Sequence, residues 1–358
     1  MNEFYGEYFL GGVTGNGFKT DFGSIIDDGF FTYILKGGPG TGKSSLMRRI
    51  AESFADKDKI ELYYCSSDPS SLDAVVLTER KVIVADGTAP HVFDPQYPGI
   101  RQCVVNLGEY WDKKALSEHA EKIIAVTDEN KKLHKRAAVY AAAVSSVNSD
   151  IFGIAADCLS EKKLASFADK FSKRLLGKSR KADGKVVIKQ LSALTENGYM
   201  TNPLPDGYTV YSLRDDCFAA SDMLLRKLTD AFVAAGEEVF ASLFGLISAP
   251  TYEHIIVPSL KIAFISENFF NRTEFDSHPI NCARFYDSDA IAAKKQRIAF
   301  SKKASAELAA EAAKTIGKAK AVHDEIEHFY ISAMDFDDIR VVTEQLITEI
   351  ARIVPSEL

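Results

Sequence analysis

Short apolar runs alternate with longer stretches of helical spacing along this chain, and several runs end at a glycine cluster or a carboxylate. Phe30-Phe31-Thr32-Tyr33-Ile34-Leu35-Lys36, rich in β-branched and aromatic residues, predicts a strand. A glycine loop follows it, and Leu46-Met47-Arg48-Arg49-Ile50-Ala51 then predicts a helix. Ile60-Glu61-Leu62-Tyr63-Tyr64-Cys65 predicts the only strand between that loop and Lys81-Val82-Ile83-Val84-Ala85-Asp86. In the latter, four consecutive apolar residues leave no polar face, so this strand is expected to be buried on both sides. Asn16-Gly17 predicts a hairpin turn. Helical tracts cover about residues 111–156 and 287–334, each followed by a shorter helix capped at Ser160 or Asp337.

The same order of elements recurs. Tyr211-Ser212-Leu213-Arg214 falls on Tyr33-Ile34-Leu35-Lys36, and Leu224-Leu225-Arg226-Lys227-Leu228 falls on Leu46-Met47-Arg48-Arg49-Ile50. Lys261-Ile262-Ala263-Phe264-Ile265-Ser266 falls on the strand ending at Asp86, and Asn197-Gly198 matches Asn16-Gly17. An internal repeat of this period predicts two domains, 1–178 and 185–358, joined through a basic stretch. A chain of 358 residues with 46% hydrophobic and 26% charged residues is long and apolar enough for two packed cores.

Net charge is -7, which disfavours a general electrostatic grip on nucleic acid or anionic lipid. Lys162 to Lys189 is the exception, with ten Lys or Arg against Asp169 and Asp183. That run is first a solvated helix face and linker, with nucleic acid as an alternative partner. Five scattered cysteines without a CxxC pair suit reduced thiols, and the amino terminus lacks a secretory pattern, so a cytoplasmic protein without a membrane segment is expected.

The glycine loop carries the chemistry. Gly37-Gly38-Pro39-Gly40-Thr41-Gly42-Lys43-Ser44 satisfies GxxxxGK[ST] between a strand and a helix, the context a phosphate-binding loop needs. Glycines let successive N–H groups turn toward a phosphate at the positive end of the helix. Lys43 then supplies charge to the β- and γ-phosphates, Thr41 and Ser45 add polar contacts, and Ser44 with Asp86 is placed for Mg²⁺. Gly87 stands where a water-polarising glutamate is often found, leaving Asp68 or His91 to orient water or, in a kinase, Asp68 to accept a hydroxyl proton. In the second copy, Asp215-Asp216-Cys217-Phe218-Ala219-Ala220-Ser221-Asp222 replaces the loop, so Lys43 becomes Ser221, Ser44 becomes Asp222 and Asp86 becomes Ser266. No lysine remains in that loop to offset its three carboxylates, which predicts a half unable to bind nucleotide. His323-Asp324-Glu325-Ile326-Glu327-His328 places His323 and Glu327 on one helix face, and an amphipathic surface helix is the favoured reading over a metal site.

Together with Cys65-Ser66-Ser67-Asp68-Pro69, Asp86-Gly87-Thr88-Ala89-Pro90-His91 and Asn106-Leu107-Gly108-Glu109-Tyr110-Trp111, the loop resembles an uncharacterised bacterial family of tandem-domain P-loop ATPases. The resemblance spans nearly the whole chain and implies ATP binding, although members look as if both halves carry phosphate loops. The expected fold is α/β, with tandem P-loop NTPase-like domains, each a mostly parallel sheet flanked by helices with a long helical appendage. The expected function is Mg²⁺-dependent ATP hydrolysis at the first half. A small-molecule kinase and a nucleotide-responsive interaction module are the alternatives, with the protein partner unspecified.

Overall fold

A computed structural model describes residues 5–20, 22–26, 29–176, 184–273 and 275–353. The chain opens with strands β1 (Gly6–Phe9), β2 (Gly11–Thr14) and β3 (Gly17–Thr20) and a single helical turn, α1 (Phe22–Ile25). β4 (Phe31–Lys36), α2 (Lys43–Phe54), β5 (Ile60–Tyr64), β6 (Leu72–Leu77), β7 (Val82–Asp86) and β8 (Gln102–Asn106) follow. Three helices, α3 (Lys113–Glu118), α4 (Ala120–Ala156) and α5 (Glu161–Leu176), close the first half. The second half repeats the series: β9 (Lys185–Ile188), the hairpin β10 (Ser192–Thr195) and β11 (Gly198–Thr201), β12 (Thr209–Arg214), α6 (Ala219–Ala234), β13 (Glu238–Leu243), β14 (Tyr252–Val257), β15 (Ile262–Glu267) and β16 (His278–Asn281). It ends in α7 (Ser288–Ala293), α8 (Lys295–Ser332) and α9 (Phe336–Arg352).

The first sheet has the order β1-β5-β6-β7-β4-β8 and the second β9-β13-β14-β15-β12-β16, the same topology strand for strand. Both sheets are mixed, with five of the six strands in each running in one direction. β6 runs antiparallel to β5 and β7, and β14 does the same between β13 and β15, while the remaining neighbours are parallel. Two strands therefore lie between the glycine loop and Asp86, where the sequence had suggested one. The links on either side of β6 are only a few residues long, enough for antiparallel hairpins and too short for parallel crossovers. β6 is buried along its whole length, but Asp73 near its start breaks the apolar run that would have marked it. The pairing of β7 with β4 brings Asp86 opposite Leu35, beside the strand that leads into the loop.

The compact units cut across the two sequence halves. One comprises Met1–Gly12, Thr20–Arg136 and Lys314–Leu358, the other Val13–Lys19 and Ala137–Ala313. The terminal helices are exchanged: α9 joins the first-half core, where Ile339, Leu346 and Ile350 pack with Leu46, Met47 and Ile50 of α2. α5 joins the second-half core, where Leu164, Ala168 and Phe171 pack with Leu224, Leu225 and Leu228 of α6. Asp335, rather than Asp337, caps α9, its carboxylate accepting from the Asp337 and Asp338 amides. In α5, Lys162, Lys163, Lys170, Lys173 and Arg174 are exposed opposite that buried line, the pattern of a solvated helix face. The rest of the basic join, residues 177–183, lies outside the described residues, as does the first domain limit at 178. α4 is long and apolar enough by length and composition to cross a membrane, but Ala137, Ala141, Val144, Ile151 and Ala155 on it are buried in the protein together with Ser145 and Asn148.

The second unit holds a buried polar network. Tyr199 donates to Glu253 at 2.7 Å, and His254 Nδ1 accepts from the Ser266 amide at 3.1 Å. With Nδ1 accepting, Nε2 carries the proton and donates to Ser192 Oγ at 2.7 Å. Burial pushes the Glu253 carboxyl up to about 8 against the Tyr199 hydrogen bond, and burial pulls His254 down to about 3. The raised carboxyl stabilises the fold while protonated and loses that contribution as pH rises toward 8. The depressed histidine stabilises above its unfolded value and loses its contribution as pH falls toward 3. Glu253→Gln is therefore expected to remove much of the loss of stability between neutral pH and pH 8, a gain of more than about 1 kcal/mol at the upper end, measured by urea unfolding across that range.

Candidate phosphate-binding loop and its degenerate counterpart

The first loop joins β4 to α2 in the first unit. Gly40 and Gly42 take left-handed conformations with φ of 67° and 81°, which a side chain resists. Thr41 Oγ1 donates to the Gly38 carbonyl at 2.9 Å and fixes the turn. Lys43 folds over it, donating to the carbonyls of Gly37 at 2.9 Å and Gly38 at 2.8 Å, with its Nζ 3.6 Å from Asp86 Oδ2. The other Asp86 oxygen accepts from the amide and hydroxyl of Thr88 at 2.8 and 2.6 Å. Lys43 and Asp86 thus meet, while Asp86 also organises its own turn. Ser44 Oγ accepts from the Leu72 amide at 3.0 Å, and Ser45 faces solvent.

Asp68 and His91 have other partners. Asp68 accepts from the amide and hydroxyl of Ser70 and from the Ser71 hydroxyl, at 3.2, 2.6 and 2.8 Å. Burial works to raise its pKa, but the Ser70 and Ser71 hydrogen bonds and the Lys320 charge hold it below the usual carboxylate value. His91 is 4% exposed, with Nε2 3.0 Å from Asp73 and Nδ1 2.8 Å from Thr20 Oγ1. Burial raises the Asp73 carboxyl, so a buried acid and histidine lie one strand away from Asp86.

Glu327 is the residue that sequence reasoning missed. From the end of α8 its Oε1 accepts from the Gly40 amide at 3.2 Å, with His323 Nε2 3.5 Å from the same oxygen. The His323 interaction lowers the Glu327 pKa against partial burial, and the Gly40 amide adds to it, keeping a carboxylate on the loop at neutral pH. A Cβ on Gly40 would stand 2.9 Å from the Glu327 carbonyl oxygen, so the backbones touch and no larger residue fits. The shared helix face of His323 and Glu327 was legible; its target 287 residues away was not.

In the second unit the corresponding loop keeps the positive φ at one position, is shortened by an earlier helix start, and fills itself. Phe218, in the place of Gly40, has φ 66°, and α6 starts two residues earlier than α2 would by the same spacing. Asp215, in the place of Gly37, accepts from the Cys217 amide at 3.0 Å, the Ser221 amide at 2.9 Å and the Tyr286 hydroxyl at 3.0 Å. Burial raises its pKa, and those hydrogen bonds counter the rise. Asp222 accepts from the Tyr252 amide at 2.7 Å, the same task Ser44 performs for Leu72. The remaining charges are matched from outside the loop: Asp216 pairs with Arg272 at 2.8 Å and Lys302 at 2.7 Å, and Asp222 with Arg226 at 2.9 Å. No lysine of the loop offsets these carboxylates, but cations from outside it do, and the anion the amides attract is a side chain of the chain itself.

No family model matches the chain, and no curated protein or solved structure matches it either. The family resemblance therefore rests on the motif residues. Among the described residues, no group of three or more His, Cys, Asp or Glu side chains is arranged to hold a metal ion. Asp215→Ala is expected to destabilise the second unit by about 2–4 kcal/mol, because three donors lose one buried acceptor, and Asp215→Asn by less; chemical unfolding followed by circular dichroism measures both.

Proposed function

We propose that the first unit binds ATP with Mg²⁺ and hydrolyses it, while the second-half loop binds no nucleotide. The observation that carries this reading is the loop between β4 and α2, with two left-handed glycines at a helix start and Lys43 within 3.6 Å of Asp86 at the end of the adjacent strand. Amides at a helix N-terminus attract an anion, and Lys43, released from the Gly37 and Gly38 carbonyls, would neutralise its β- and γ-oxygens. Ser44 and Asp86 are the residues that would hold Mg²⁺, which when bound supplies charge neutralisation at the phosphates. The indole N–H of Trp111, whose ring lies against Gly38, has no hydrogen-bond partner among the described residues and is a buried donor that fits an anionic ligand here. Asp68 already accepts from the amide and hydroxyl of Ser70 and from the Ser71 hydroxyl, and with its carboxyl held below the usual range it is a weak general base toward either water or a substrate hydroxyl.

A nucleotide-responsive interaction module is the second reading, favoured by the Glu327 carboxylate on the Gly40 amide. A phosphate that takes that amide must replace Glu327, so binding would alter how the end of α8 lies on the loop. Turnover then distinguishes a hydrolase from a module that binds and holds.

Lys43→Ala is expected to abolish steady phosphate release, and Asp86→Asn to lower it by about 100-fold or more, in an assay of phosphate release at saturating Mg²⁺-ATP. Wild-type protein that releases no phosphate above the Lys43→Ala background would remove the hydrolase reading. Glu327→Gln removes a like charge from the phosphate's path, and its affinity for Mg²⁺-ATP is expected to rise about tenfold by calorimetry.

A further inference from the structure

Trp111 is the single tryptophan of the chain. It immediately precedes Asp112, which caps α3, as Tyr286 immediately precedes Asp287, which caps α7 with the same pair of amide hydrogen bonds. Each also forms an isolated β-bridge to a residue just beyond a long helix, Trp111 to Met334 and Tyr286 to Leu159. The two aromatic residues thus hold one position in the repeated fold, each within its own unit.

What they touch differs in one respect. The Tyr286 hydroxyl accepts from the Ala220 amide at 2.9 Å and donates to the Asp215 carboxylate that fills the second loop. Trp111 lies against the first loop, its ring carbons 3.2 and 3.5 Å from where a Cβ on Gly38 would stand, with Tyr330 packed on its ring at 5.3 Å. The first loop has glycine in place of Asp215, and the Trp111 Nε1 is buried without a hydrogen-bond partner among the described residues. A buried indole N–H can only donate, and leaving it unpaired is costly. An aromatic donor is therefore retained at this position in both loops, while the acceptor is built into only one of them.

We propose that the Trp111 indole N–H donates to a phosphate oxygen of the polyphosphate seated in the first loop, doing for the ligand what Tyr286 does for Asp215. This rests on the nucleotide reading above and adds a recognition residue outside the glycine motif. The contact addresses the phosphates and not the base, so Mg²⁺-pyrophosphate is a sufficient probe.

With one tryptophan, ¹⁵N-labelled protein gives a single indole N–H resonance, and titration with Mg²⁺-pyrophosphate is expected to move it downfield as calorimetric binding saturates. Trp111→Phe, which deletes the donor, is expected to weaken Mg²⁺-pyrophosphate binding about tenfold or more. Trp111→Tyr, which installs the second loop's own donor, is expected to stay within about threefold of wild type. Binding that saturates while the indole resonance stays in place, or equal losses in the Phe and Tyr variants, would overturn the Trp111 assignment and leave the nucleotide reading standing. Wild-type protein that binds neither pyrophosphate nor ATP would overturn both. If Trp111→Phe fails to fold, the wild-type resonance alone decides.

Discussion

Backbone N–H groups gathered at the start of a helix carry a partial positive charge that must be met by an anion or by water. Much in this protein follows from how that demand is met in two copies of one loop. In the second copy Asp215 supplies the anion from within, held by two amides and by Tyr286. With the charge built in, Lys43 can become Ser221 and Gly40 can become Phe218 at almost the same φ. In the first copy no loop residue can supply it, and Glu327 reaches in from α8 to one amide only.

The exchange of terminal helices makes that reach possible. α8 and α9 enter the first unit, and the apolar face of α9 packs on α2, the helix whose start forms the loop. At the spacing that sets Met334 on Leu159, Glu327 falls on Phe152 of α4, which packs into the second unit's core. An apolar side chain thus stands where the loop already has its carboxylate, and a charged one where it does not. Residues of the second sequence half therefore bear directly on the chemistry of the first-half loop, and a truncation near residue 178 would remove part of both cores.

The strands ending at Lys36 and Asp86, the two Asn-Gly hairpins and the long helices were legible because each carries a local signal: β-branched runs, a turn dipeptide or a sustained helical period. The repeat was legible from matched spacing, and the identical strand orders agree with it. β6 and β14 were not, because the buried polar residues Asp73 in one and Glu253 and His254 in the other interrupt the apolar runs that would have marked them. At the loop, the meeting of Lys43 with Asp86 was legible from the motif. Glu327 and Trp111 were not assigned to the loop, since their proximity depends on chain returning from far along the sequence. Asp215 was read as a repelling charge because its partner Tyr286 lies 71 residues away.

Calorimetric titration of Mg²⁺-ATP into the whole chain, through the number of sites, tests most directly whether one loop takes its anion from solution and the other from its own side chain. One site per chain, lost in Lys43→Ala and retained in Asp222→Asn, is the predicted result. Two sites, or none, would contradict it.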